Sequence, residues 1–168
     1  MADVIEKIWV TPPMPGGMKV RHVGYLDLGT FYTWLERWFE FEEFFVPDLE
    51  RFYEEKTEPA GKKMDIRWVG KKKKNPYYTY VIEIVFLLIN VNKVEVQMGE
   101  KKIKIEKGDF EFRLGAYLEK GMKGAGVLRN LYEKVIAKKK VDIYTRECYD
   151  KVYKLQEDMK AYFNQYVQ

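Results

Sequence analysis

The sequence predicts an α+β fold: a meander of about five antiparallel strands carrying an aromatic helix from the N-terminal half and a long C-terminal helix. Three patterns carry that reading. Met64, Ile66 and Trp68 alternate with Asp65 and Arg67, as a strand with one buried and one polar face requires. Phe31, Trp34, Leu35, Trp38, Phe41 and Phe45 recur at helical spacing. Cys148, Val152, Leu155, Met159, Tyr162 and Tyr166 form an apolar seam with steps of three and four. A chain of 168 residues, 46% hydrophobic, accommodates these elements in a single domain, 1–168.

Within that domain, 1–26 reads as two short strands, Val4–Val10 and Lys19–Tyr25, around the loop Thr11 to Gly17, whose three prolines and two glycines exclude regular structure. Residues 27–45 read as a helix, because Asp27 or Thr30 supplies a capping oxygen and Pro47 cannot continue the element. Sheet is expected over 46–120. Its strands are Leu49–Thr57, the alternating Met64–Trp68, Tyr77–Ile89 continued by Lys93–Met98, Lys102–Glu106 and Phe110–Glu119, with turns at Gly70–Pro76, Gly99-Glu100 and Lys107–Asp109. Glycines 121, 124 and 126 separate the sheet from a helical region over 127–167, which bends near Lys138–Lys140 or overhangs the domain.

Composition removes several function classes. The chain has no serine, one histidine (His22) and one cysteine (Cys148), which excludes a serine nucleophile and a metal site built from several His or Cys ligands. Glu83 is expected on the outer sheet face opposite Arg67 or Arg113 rather than in catalysis. The reading therefore assigns no catalytic, cofactor-binding or metal-ligating residue, and leans away from an enzyme. The segment Gly121 to Gly126 matches neither the phosphate-loop nor the dinucleotide pattern and reads as a hinge. The start of the chain lacks the basic and apolar regions of a secretory signal, and the longest apolar run, Val85–Ile89, is far short of the roughly 20 residues of a membrane helix. A cytoplasmic protein without a membrane span is expected. The absence of serine and the abundance of Lys, Glu and Tyr point to a heat-adapted source.

Charge is unevenly placed. Glu36–Glu58 has nine acidic and three basic residues, and Lys62–Lys74 has seven basic and one acidic. A polarised molecule is expected, with Lys62, Lys63, Lys71, Lys72, Lys73, Lys74 and Tyr77 as a surface for an acidic protein or, weakly, a nucleic acid. A solvated turn is the plainer account of the same lysines. The other binding candidate is a cavity between sheet and long helix lined by Trp34, Trp38, Trp68 and Phe86. The C-terminal seam and a central strand that is apolar on both faces also point to a homodimer.

The tracts Trp38-Phe39-Glu40-Phe41, Ala60 to Trp68 and Glu83-Ile84-Val85-Phe86, with the helix from Leu131-Tyr132 to Ala161-Tyr162-Phe163, resemble small archaeal proteins that share a helix, an antiparallel sheet and a long C-terminal helix. The resemblance covers about residues 27–166. It implies fold and source, and carries over no activity and no site residue. The order of elements is also similar to that of helix-grip folds that enclose apolar ligands, a likeness of layout only. Two expectations follow: a non-enzymatic interaction protein that meets its partner through the basic segment, and a carrier of a hydrophobic small molecule.

Overall fold

The computed structural model describes residues 5–47, 51–121 and 138–166. These residues form six strands and two helices, in the order β1 (Ile5–Trp9), β2 (Met18–Leu26), α1 (Leu28–Phe41), β3 (Phe52–Glu58), β4 (Gly61–Lys73), β5 (Tyr78–Met98), β6 (Lys101–Gly121) and α2 (Lys138–Asn164). The strands form one antiparallel sheet in the order β1-β6-β5-β4-β3, and β2 also pairs with β6. β1 takes the last residues of β6 and β2 the earlier ones, so the two short strands share one edge. Thr11 bridges the gap between them: Val10 N donates to Ala116 O and Ala116 N donates to Thr11 Oγ1, both at 3.0 Å. The proline-rich loop thus leaves the edge without orphaning the backbone of β6.

Both helices pack on one face. Strand alternation directs Met64, Ile66 and Trp68 of β4, Tyr78 to Leu88 of β5 and Phe110 to Leu118 of β6 toward them, every second residue buried. α2 lies over β6, β2 and β5 and contributes Cys148, Val152, Leu155 and Met159, all fully buried within the chain. The expected seam is therefore spent on the protein's own sheet. α1 is capped by Asp27, whose Oδ1 accepts from Thr30 N at 3.1 Å. It ends at Phe41, short of Pro47, because Glu43 adopts φ +63°. Its buried face is Leu28, Phe31, Leu35, Trp38 and Phe39 rather than the full expected stripe, and Phe41 and Phe45 are 80% and 70% exposed. Gly70 explains the rotation. A Cβ there would lie 2.6 Å from the Phe39 ring, so the missing side chain admits Phe39 against β4.

Two expected turns are strand. Lys71, Lys72 and Lys73 continue β4, paired with Val81, Tyr80 and Thr79, and the reversal falls at 74–77. There Asn75 Oδ1 accepts from the backbone N–H of Tyr77 and Tyr78 at 2.8 and 2.9 Å, an Asx-type turn that the preceding lysines do not need to form. Lys107–Asp109 likewise lies inside a continuous β6. Gly108 marks a crease instead of a turn. Opposite it, β5 shifts register between Ile89 and Asn92 with Asn90 at φ +54°, and on its other side Gly24 of β2 sits at φ +133°. A Cβ on Gly108 would come within 3.1 Å of Ile89 O and Val91 Cα. Bulges bend and twist the strands they interrupt, and this one divides the β5–β6 ribbon into a near half under the helices and a far half, 92–107. The segment expected as the start of the C-terminal helix, 127–137, and nearly all of the glycine-rich stretch lie outside the described residues.

Candidate functional site

The space between sheet and helices in the near half is filled by rings. Phe86 meets Phe31, Tyr32, Trp68 and Phe112 at centroid distances of 5.1 to 6.2 Å. Trp34 stacks on Phe31 and Tyr162, and Trp38 packs on Phe39 and Phe44 while its Nε1 donates to Asp158 Oδ2 at 2.9 Å. Of the four aromatics expected to line a cavity, Trp68 and Phe86 touch, Trp34 reaches Phe86 through Phe31, and Trp38 sits apart at the end of α1. Their contacts are with one another and the core.

The lysines are dispersed by the geometry of β4. Alternation sends Lys63, Lys71 and Lys73 to the face away from the helices and Lys72 to the helix side, where its ammonium donates to Glu42 O and Glu43 Oε2 at 3.1 Å. Lys62 pairs with Glu55 at 2.7 Å and Lys74 with Glu147 at 3.2 Å. Tyr77 is exposed in the turn. The acidic and basic tracts, separate in sequence, are brought together by the β3–β4 hairpin and the end of α1, so they partly cancel. Glu42 is 6% exposed and is held by Lys151 and Lys154. Burial raises its pKa, and the two ammonium groups outweigh that and hold the carboxyl below its usual value. Glu83 lies on the outer face as expected, but in register with Val69 and Gly115. Arg67 pairs instead with Asp65, and Arg113 with Glu111. Cys148 is buried on the sheet-facing side of α2, its thiol pushed up to about 12 by desolvation. Among the described residues no group of three His, Cys, Asp or Glu side chains is placed to hold a metal ion, and no helix is long and apolar enough to cross a membrane.

A cleft of about 770 Å³ opens where the far half of the β5–β6 ribbon curls past the crease toward the end of α2. One wall is Val96, Gln97, Met98, Ile103 and Ile105, another is Val23, Gly24 and Tyr25 of β2 with Asp27 of the α1 cap, and Gln165 and Tyr166 close the third side. His22 is 6% exposed at its base. Its ring stacks on Phe163 at 5.3 Å and Phe110 at 6.1 Å, and Nε2 lies 2.7 Å from Tyr25 O. A carbonyl oxygen only accepts, so Nε2 carries the proton of that bond. The rim is apolar and exposed, with Val23 at 66% and Met98 at 63%. Sequence reasoning used His22 only to exclude a metal site built from several histidines and passed over the wall. The available signal was the alternation Val94, Val96, Met98 and Ile103, Ile105 inside an otherwise charged hairpin.

What fold and cleft define together is an α+β protein whose sheet leaves a recess of mixed apolar and polar lining at one end. No family model matches the chain, and no curated protein or solved structure is significantly similar to it.

Proposed function

We propose that the protein binds a small apolar molecule, without chemistry upon it, in the cleft between the far half of β5–β6, the end of β2 and the end of α2. The carrying observation is the recess itself. Its volume, about 770 Å³, is within the range of small-molecule sites, and Val23, Val96, Met98, Ile103 and Ile105 give it an aliphatic side facing a buried imidazole and a few polar groups, Asp27, Gln97 and Gln165 among them. Exposed Val23 and Met98 at the mouth gain from being covered, which supplies a hydrophobic driving force. This reading keeps the expectation of a carrier and moves its pocket from Trp34, Trp38, Trp68 and Phe86 to the far end of the sheet.

The interaction reading through Lys62, Lys63, Lys71 to Lys74 and Tyr77 has less support, since Lys62, Lys72 and Lys74 are engaged by carboxylates and Lys72 faces the helices. A cytoplasmic setting, a heat-adapted archaeal source and self-association belong to the same proposal. The setting rests on the lone unpaired cysteine and the source on composition and the resemblance above. A homodimer draws its remaining support from exposed apolar side chains such as Ile89, not from the buried α2 seam.

Titration of the purified protein with the neutral fluorophore Nile red tests the reading. Saturable binding is expected, weakened at least about tenfold by Ile103→Trp, which fills the recess. Equal binding by that variant, or none by the wild type, would overturn the site.

A further inference from the structure

We infer that the ligand carries a hydrogen-bond donor on its polar end, an alcohol or a protonated amine, and is not a fatty acid; this rests on the cleft being the ligand site. His22 sets the first condition. Its Nε2–H is committed to Tyr25 O, so the neutral ring has Nδ1 as an unprotonated acceptor, and Nδ1 has no hydrogen-bond partner among the described residues. The ring is held in place by Phe110 and Phe163, so it cannot turn this lone pair toward another partner. A hydroxyl or ammonium satisfies that lone pair, and a carboxylate is repelled by it.

The surrounding charge gives the same sign. Asp27 lines the cleft, and although its oxygens accept from Thr30 N and Thr30 Oγ1, its negative charge stays beside the ligand. Glu106, next along β6 from Ile105, reaches Leu28 N at 3.0 Å and adds a second carboxylate at the same corner. Lys102 and Lys104 alternate to the face opposite Ile103 and Ile105, and Lys107, whose ammonium lies 5.2 Å from the centroid of the Tyr25 ring, offsets one of the two carboxylates and leaves the other's charge in excess. The N-terminus of α1 offsets part of the negative charge, but Asp27 and Glu106 already occupy its first amides. An anionic head group would therefore meet the Asp27 carboxylate and the His22 lone pair, with the Glu106 charge close by, and a donor head group would meet two acceptors.

Three ligands with the same ten-carbon chain separate these cases: decanol, decylammonium and decanoate at pH 7.5, each read by displacement of Nile red. Decanol and decylammonium are expected to bind more tightly than decanoate by about tenfold. His22→Phe retains the aromatic stack and removes the acceptor, and it should weaken decanol and decylammonium about three- to tenfold relative to decanoate, each referred to the variant's own Nile red affinity. Asp27→Asn retains a good helix cap and should narrow the gap between decylammonium and decanoate. Equal affinity for all three chains, or tightest binding of decanoate, would overturn the donor requirement and leave the cleft as an unselective apolar site. No displacement by any chain, with no saturable Nile red binding, would overturn the cleft as well. The wild-type ranking alone decides the matter if either variant fails to fold.

Discussion

On the near side of the Gly108 crease the inward side chains of β5, from Tyr78 to Leu88, are all buried beneath α1 and α2. On the far side, the same strand's Val94 and Val96 are only half-covered and Met98 is 63% exposed. One ribbon thus has a part closed over by helices and a part that outruns them. Each large side chain buried in the near half contributes about 1.5–3 kcal/mol of transfer free energy, while the far half holds its apolar residues in partial contact with water. The comparison teaches where stability and binding are separable in this fold. Changes in the ring cluster should unfold the protein, and changes around the cleft should alter occupancy at small cost to folding.

The largest effect is expected in the near half. Phe86→Ala removes a ring fully buried among four others, and Trp38→Ala removes a buried indole together with its bond to Asp158. Each should cost about 3–5 kcal/mol in chemical denaturation, and a loss below about 1 kcal/mol would mean that these rings are not the core. Leu155→Glu should act similarly, since it places an unpaired carboxylate against β6. A folded Leu155→Glu protein of lower mass in sedimentation equilibrium would move the seam into a subunit interface instead.

A smaller effect attaches to three separately paired carboxyls. Glu42, Asp109 and Glu147 all titrate below their usual values in the folded protein. For Asp109 the main cause is its bond from Arg21, and for Glu147 it is the Tyr80 hydroxyl, with Lys74 adding to it and desolvation opposing both. A carboxyl whose folded pKa is depressed contributes stability that is complete above its unfolded pKa and lost as pH falls through the folded one. Stability should therefore hold near neutrality and decline with acid from about pH 5 downward. Glu42→Gln should lower stability at pH 7 by about 1–3 kcal/mol and flatten that decline, as measured by urea melts across pH. An unchanged acid slope would show that Glu42 contributes nothing to it.

The smallest stability changes belong to the far half. Met98→Ala and Val96→Ala should each cost less than about 1 kcal/mol yet weaken Nile red binding measurably. A cost as large as that of Phe86→Ala would erase the distinction between the two halves. Replacing Lys71 to Lys74 with glutamine should likewise leave the melting midpoint within a few degrees, about 1 kcal/mol at most, and should abolish any binding to RNA or DNA at low salt.

Sequence patterns revealed the near half more fully than the far half, for physical reasons. Alternation in Met64–Trp68 and Phe110–Leu118 reports a buried face directly, and Asp27 reports a helix start, because in each case the cause is local. The crease is not local. Gly108 reads equally as a turn or as a point of close approach, and only the backbone of Ile89 and Val91 on the adjoining strand decides between them. Lys71–Lys73 reads as a turn by charge, while its pairing with Thr79–Val81 and the Asn75 turn beyond it make it strand. The candidate site was least legible. His22 has no partner near it in sequence, and Phe110, Phe163 and the wall of Val96, Ile103 and Ile105 come from β5, β6 and α2.

Methyl-region NMR of the labelled protein titrated with decanol measures the separation directly. The account predicts shifts confined to Val23, Val96, Met98, Ile103 and Ile105 around the cleft, with Ile66, Ile84, Leu114 and Leu155 unmoved. Shifts centred on Ile84 and Leu114 would put the ligand among the rings of the near half and contradict it.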